Sequence, residues 1–316
     1  MIKASAHRLT SKKHTWKYYL KRDKFFYILI ALPILYYIVY KYLPMIGIVI
    51  AFQDYKPFLG IEGIFKADWV GLKHFTRFFS SIYCGRLIRN TFLISFYSLI
   101  FAFPAAILLA LLLNEVRCRK FKRTVQTISY LPHFLSAVIV CGMVRQLLTV
   151  DGGLVNMLIT AFGGEPIYFL GSTQYYRTYY VASGIWQSIG WNSIVYLAAM
   201  GNIDTSLYEA AELDGAGILK KMYHVTLPAL LPIISIMLIF QVGSLLNVGH
   251  EKTLLLYSPL NYEVSDIIST YVYREGLVGM QYSYTAAVGL FTSVINMVLV
   301  LASNWAAKKM GQEGVW

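Results

Sequence analysis

The feature that most constrains this sequence is a series of six apolar stretches, at residues 25–52, 90–113, 125–148, 177–201, 229–249 and 286–307. About 20 apolar residues carry a helix across roughly 30 Å of hydrocarbon. Lipid offers no water to unpaired backbone groups, so a crossing segment must be a helix or part of a closed barrel. The stretches are too long for barrel strands. The fold class expected is therefore all-α, a polytopic membrane protein with six transmembrane helices. Pro33 and Pro44 sit inside the first stretch, which is long enough to cross even when kinked or tilted. With 57% apolar and 14% charged residues in 316, the chain is too apolar for a soluble domain of its size.

The formal net charge of +12 would suit a nucleic-acid partner, but the positive residues are distributed as topology signals instead. Residues 1–24 hold Lys3, Arg8, Lys12, Lys13, Lys17, Lys21, Arg22 and Lys24 against the single acid Asp23. No small-residue cleavage site follows the first apolar run, which exceeds a signal-peptide core, so 1–24 is expected to be a retained cytoplasmic tail. Arg117, Arg119, Lys120, Lys122 and Arg123 crowd the short loop after the second stretch, and Lys308 and Lys309 begin a second tail, 308–316. The loop at 149–176 carries no Lys or Arg at all. Both termini are thus expected in the cytoplasm, in a multi-pass protein of the cytoplasmic membrane surrounded by lipid. The six basic residues of 53–89 pull slightly the other way, offset by Asp54, Glu62 and Asp68.

Several chemistries are missing. There is no G-x-x-x-x-G-K-[ST] phosphate loop, so ATP hydrolysis is not expected on this chain. No Asp or Glu falls inside the six stretches, whereas proton- or sodium-coupled transporters retain intramembrane carboxylates for coupling. Cys84, Cys118 and Cys141 show neither a disulfide framework nor metal-ligand spacing. An intramembrane enzyme would need clustered Asp, Glu or His at a membrane surface, and Asp54, Glu251, Glu263 and Asp266 are dispersed along loops.

Between the fourth and fifth stretches lies a polar-rich segment, 204–228, with dense local signals. Ser206 followed by Glu209 fits a capping box, which predicts a short helix beginning near Leu207. Leu207, Ala210, Ala211 and Asp214 share one narrow face, and Gly215 and Gly217 break the helix. Ile218 to Thr226 is expected to form a second short turn of helix that Pro228 ends. The result would be a compact knob outside the bilayer.

Glu209-Ala210-Ala211, three residues, Gly215, nine residues, Val225, one residue, Leu227-Pro228 resembles the EAA loop of the membrane subunits of ABC importers, and Asp214-Gly215-Ala216 matches the family's common DGA. Val225 stands where the family usually has Ile, and Met222 where it often has an aromatic. DYKPFLG, DWVGLKHFTRFF and the C-terminal HEKTLLLYSPLNYEVSDIISTYVYREGL followed by YSYTAAVGLFTSVINMVLVLASN are similar to sugar and oligosaccharide permeases of that family. The resemblance implies a permease subunit of an ATP-driven importer moving a carbohydrate, an oligosaccharide or polysaccharide fragment, by alternating access. Its implied partners are a second related permease, an ATPase dimer that holds ATP and Mg, and an extracytoplasmic solute-binding protein. It assigns ATPase coupling to Glu209, Ala210, Ala211, Asp214, Gly215, Ala216, Leu227 and Pro228. No cofactor or metal is expected on this chain, and no catalytic residue. A permease for a non-sugar solute is the nearest alternative and a secondary transporter a more distant one.

Within the stretches, Tyr130, Trp186, Gln187, Trp191, Asn192, Tyr196, Gln241, Asn247 and Asn296 are the candidate substrate-path residues. Aromatic faces with amide side chains suit a sugar's C–H faces and hydroxyls. The same residues also read as interface belts and interhelical hydrogen bonds.

Overall fold

A computed structural model describes residues 16–311 together with Gly314 and Val315. Residues 1–15 of the basic tail, and Gln312, Glu313 and Trp316 of the C-terminal one, lie outside the described residues. In chain order the helices used below are α1 (Lys24–Phe52), α2 (Lys73–Phe79), α3 (Cys84–Glu115), α4 (Arg119–Phe134), α5 (Ala137–Leu148), α6 (Leu154–Ala161) and α7 (Tyr176–Met200). They continue with α8 (Thr205–Leu213), α9 (Ile218–Gly243), α10 (His250–Leu256), α11 (Tyr262–Ser265), α12 (Ile268–Val272) and α13 (Tyr282–Lys309). No strand occurs among the described residues, which contain one isolated bridge, Gln53 to Trp69.

By length and composition, α1, α3, α9 and α13 can each cross a membrane, and α4 with α5 forms a fifth, bent candidate. The 25-residue α7 is long enough but not apolar enough, because Arg177, Gln187, Asn192 and several Tyr and Ser interrupt it. It does not need to be, since it lies inside the bundle against α3, α4, α5 and α9. A helix flanked by helices rather than lipid can keep polar groups that find partners. Counting α4 with α5 as one passage and α7 as an interior one, the architecture is compatible with six spans.

The expected straight third span, 125–148, is not what forms. Pro132 sits in a tight turn at Leu131–Phe134, Leu135 and Ser136 are extended, and α5 leaves at 102° to α4. Ser136 Oγ accepts the Ile139 N–H and so caps the new helix. Pro44 and Pro228 act differently. Each lacks an N–H and would crowd the carbonyl four residues back. In both cases a π-helical segment, Ile38–Tyr42 or Met222–Thr226, ends two residues before the proline and lets the helix continue. Hence Pro228 does not end a separate turn of helix at Thr226; α9 runs unbroken from the knob into the membrane.

The chain alternates between two ends of the bundle. One end gathers the loops: Phe52 stacks on Trp69 (5.9 Å, 10°), the Tyr55 N–H donates to Ser283 Oγ (3.0 Å), and Asn261 Nδ2 donates to the Leu170 carbonyl (3.0 Å). At the opposite end a core of Ala106, Ala110, Leu111, Tyr196, Met200 and Leu230 joins α3, α7 and α9 beneath α8, with Ile203 and Met222 packed on it. We call these the loop end and the knob end. No residue of α1 between Lys24 and Tyr37 is buried, and large hydrophobic side chains are exposed on α1, α3, α9 and α13. Apolar faces of that extent require lipid or other subunits around them.

Candidate functional site

At the knob end, α8 starts two residues earlier than its sequence suggests. Asp204, not Ser206, is the N-cap: its backbone is extended and its carboxylate accepts the Ser206 N–H at 2.9 Å. That hydrogen bond holds the Asp204 carboxyl below the usual carboxylate range. The expected Ser206/Glu209 capping box is therefore not formed, because Ser206 lies within the first turn. At the other end Gly215 takes φ +73°, its N–H donating to the Glu212 carbonyl (3.0 Å) and that of Ala216 to the Ala211 carbonyl (2.9 Å). This is a Schellman turn, whose left-handed position glycine occupies without side-chain strain.

Two side-chain links hold α8 on the bundle. Tyr208 Oη lies 3.0 Å from Thr226 Oγ1, a buried hydroxyl in the π-helical start of α9. Lys221 Nζ donates to Glu212 Oε1 at 2.5 Å, holding the Glu212 carboxyl below its ordinary value. The face turned inward is Tyr208 and Ala211, both half-buried, while Leu207, Glu209, Ala210 and Asp214 are exposed. Of the other coupling residues, Gly215 and Pro228 are exposed and Ala216 and Leu227 half-buried. Two leucines extend the exposed surface, Leu213 at 91% and Leu219 at 79% relative exposure. A small, rigid, partly apolar surface on a polar knob has the form of a docking face.

On the flank of the bundle, the exposed Trp191, Asn192 and Gln241 and the buried Tyr196 line an open recess of about 280 Å³ with Phe103, Ala106 and Met237. Gln241 and Ser244 also line a second cavity, of about 180 Å³, with Asn247, Ser95, Ser98 and Tyr180. Asn296 borders this region from α13: its Oδ1 accepts the Leu246 N–H (3.2 Å) and its Nδ2 donates to Asn247 Oδ1 (3.3 Å). The remaining three residues of the set lie away from these cavities. Gln187 Nε2 donates to the Leu135 carbonyl (3.1 Å), bracing the bend between α4 and α5. Tyr130 faces Ser193 where α4 meets α7, and Trp186 is exposed. His133 stacks on Trp191 at 4.5 Å and 4°.

The α4–α7 contact depends on Gly190, where an added Cβ would collide with the Ser129 carbonyl. Sequence reasoning also passed over the hub of the loop end. Asp266 is fully buried and accepts from Arg274 (3.0 and 3.3 Å), Arg86 (3.4 Å) and Thr270 Oγ1 (2.9 Å). Asn90 Nδ2 donates to the Asp266 and Glu263 carbonyls (3.0 and 2.8 Å), and Thr91 Oγ1 accepts the Ile268 N–H (3.0 Å). A loop aspartate whose cationic partners stand 8 and 180 positions away gives no local signal.

Residues 102–312, two thirds of the chain, match the family described as "Binding-protein-dependent transport system inner membrane component". This chain belongs to that family. Its membership accounts for a transport subunit embedded in a membrane, with a knob exposed at one end. The permease is 48% identical over 295 residues to the polygalacturonan/rhamnogalacturonan transport system permease protein YteP of Bacillus subtilis (strain 168), covering 93% of this chain and 91% of the relative. It is 45% identical to Protein LplB of the same organism over 96% and 94% of the two chains. Its fold matches a chain of a bacterial alginate ABC transporter, solved in complex with an alginate pentasaccharide-bound periplasmic protein. The TM-score is 0.87 at 40% identity, covering 95% and 99% of the two chains.

Proposed function

We propose that this permease is one of two related membrane subunits of an ATP-driven importer, and that its cargo is a carbohydrate, an oligosaccharide or polysaccharide fragment. An ATPase dimer holding ATP and Mg docks on α8, and an extracytoplasmic binding protein delivers cargo to the loop end. Both termini then lie in the cytoplasm with the knob. The observation that carries this reading is α8 itself: a helix closed at both ends by its own caps, tied to α9, with Leu213 and Leu219 turned outward. Because α9 continues from the knob into the bundle, displacement of a docked α8 is transmitted to the residues around Gln241. Polysaccharide cargoes in the printed names of YteP and the alginate transporter support the carbohydrate reading.

The cavities lined by Trp191, Asn192, Tyr196, Gln241 and Asn247 form the path in this reading. Their aromatic and amide groups match a sugar's apolar faces and hydroxyls. Purification of the tagged chain from its own membranes, followed by ATPase assays of the reconstituted complex, tests the proposal. Co-purifying ATPase and second permease, with ATP turnover raised by oligosaccharide-loaded binding protein, are expected. Uptake without ATP, or stimulation by loaded amino-acid or peptide binding proteins and not by sugar, would overturn it.

A further inference from the structure

At the loop end a third and larger cavity, about 450 Å³, opens between α3 and the first turns of α7, lined by Tyr97, Phe101, Gln174, Arg177, Val181 and Ile185 among others. Its volume is in the range of small-molecule sites, about 300–1,000 Å³. Tyr97 and Phe101, both exposed, stack on one another at 6.5 Å and 29° in its wall. Arg177 is half-buried, its NH2 group donates to Asn90 Oδ1 (3.3 Å), and its Nε is buried with no protein partner. Arg89 is exposed beside Asn90 on α3, the residue that accepts from Arg177. Among the described residues no ion pair involves either arginine, although Arg86 and Arg274 a short way off share the carboxylate of Asp266.

Arg86 and Arg274 thus take up the Asp266 carboxylate, and Arg177 lines the aromatic-walled cavity with no carboxylate partner. Unpaired arginines in a membrane-embedded bundle are costly and mark sites that bind something. A guanidinium selects carboxylates through parallel N–H donors, and the flanking aromatic faces accept a sugar ring. We propose that Arg177, supported by Arg89, is a specificity site for the carboxylate of an acidic sugar residue entering from the loop end. This rests on the reading of the chain as a carbohydrate permease and names the class of carbohydrate. A neutral sugar would leave the arginine pair uncompensated, so acidic cargo is preferred over neutral cargo of equal length.

The test uses the complete transporter with its binding protein in proteoliposomes, given trigalacturonate or the same trisaccharide reduced at its carboxyl groups. Initial uptake rates are normalised to binding-protein occupancy. The acid-to-neutral rate ratio is expected to exceed one in the native complex and to fall about tenfold in Arg177→Gln, the change for losing one hydrogen bond to a charged group. Arg177→Lys, which keeps the charge, should recover part of the ratio, and Arg89→Gln should lower it by less. A ratio unchanged in Arg177→Gln, or a native complex that takes up both sugars equally, overturns the site and leaves the carbohydrate reading standing. Uptake of neither sugar, with uptake of a non-sugar solute instead, overturns both.

Discussion

The two ends of this permease are built on opposite terms. At the loop end, α3, α7 and the segments around α11 and α12 converge on Asp266, Asn90 and Thr91, with charges buried and hydrogen-bonded across long sequence separations. At the knob end, α8 is tied to the bundle by one hydroxyl pair and one ion pair whose Glu212 end is exposed, and its structure is local: an Asp cap at the start, a glycine turn at the end. A mouth that receives cargo gains from being fixed. A part that another subunit must grip gains from being self-contained and exposed. Stability is therefore concentrated at one end and docking surface at the other.

The largest effect expected is at the hub. Asp266→Ala leaves Arg86 and Arg274 without their shared carboxylate, and loss of one partner from a buried pair costs about 3–5 kcal/mol. A marked fall in detergent melting temperature and yield should follow, and a wild-type melting curve would erase the contrast between the ends. Gly215→Pro should do the reverse. Proline cannot take φ +73° or supply the N–H that closes the turn. ATP-driven uptake should fall by tenfold or more while the melting temperature of the spans stays near wild type. A variant that transports normally would show that α8 transmits nothing.

Smaller effects sharpen the picture between the ends. Gly190→Leu should cost about 1–3 kcal/mol by driving α4 away from α7 at Ser129, read as a lower melting temperature. Asn296→Leu removes the acceptor for the Leu246 N–H, an interhelical bond worth about 0.6 kcal/mol in membrane proteins. The loop end also carries a pH dependence. Lys252 Nζ donates to the Tyr180 carbonyl (2.7 Å), and burial lowers its pKa from 10.5 to about 8. Between those values the unfolded chain holds more proton than the folded one, so stability rises with pH across that window. Lys252→Met should remove that slope, checked by melting both proteins from pH 7 to 10.

Legibility in the sequence followed the range of the interactions. The helical character of the apolar stretches, the knob between the fourth and fifth of them and its glycine turn were legible because each depends on residues within a few positions of one another. The capping assignment moved by two residues because Asp204 has the extended backbone a cap needs and accepts the Ser206 N–H, which places Ser206 inside the first turn. Pro132 falls in a tight turn followed by extended Leu135 and Ser136, and there the span folds sharply. The hub at Asp266, the Gly190 contact and the arginine pair were illegible because each depends on which helices become neighbours. Of the polar set in the fourth stretch, Asn192 borders a cavity and Gln187 braces a bend, a division that one periodic pattern does not contain.

The central claim is that a separate ATPase grips α8, and a cross-link measures it most directly. With Cys118 replaced by serine and Leu213→Cys introduced at the tip of the knob, a short maleimide–succinimidyl ester cross-linker, which joins that thiol to a nearby lysine amine, is applied to the complex purified from native membranes. The account predicts a covalent product containing the ATPase subunit, and none from Leu260→Cys at the loop end. An ATPase adduct from Leu260→Cys and none from Leu213→Cys would contradict it.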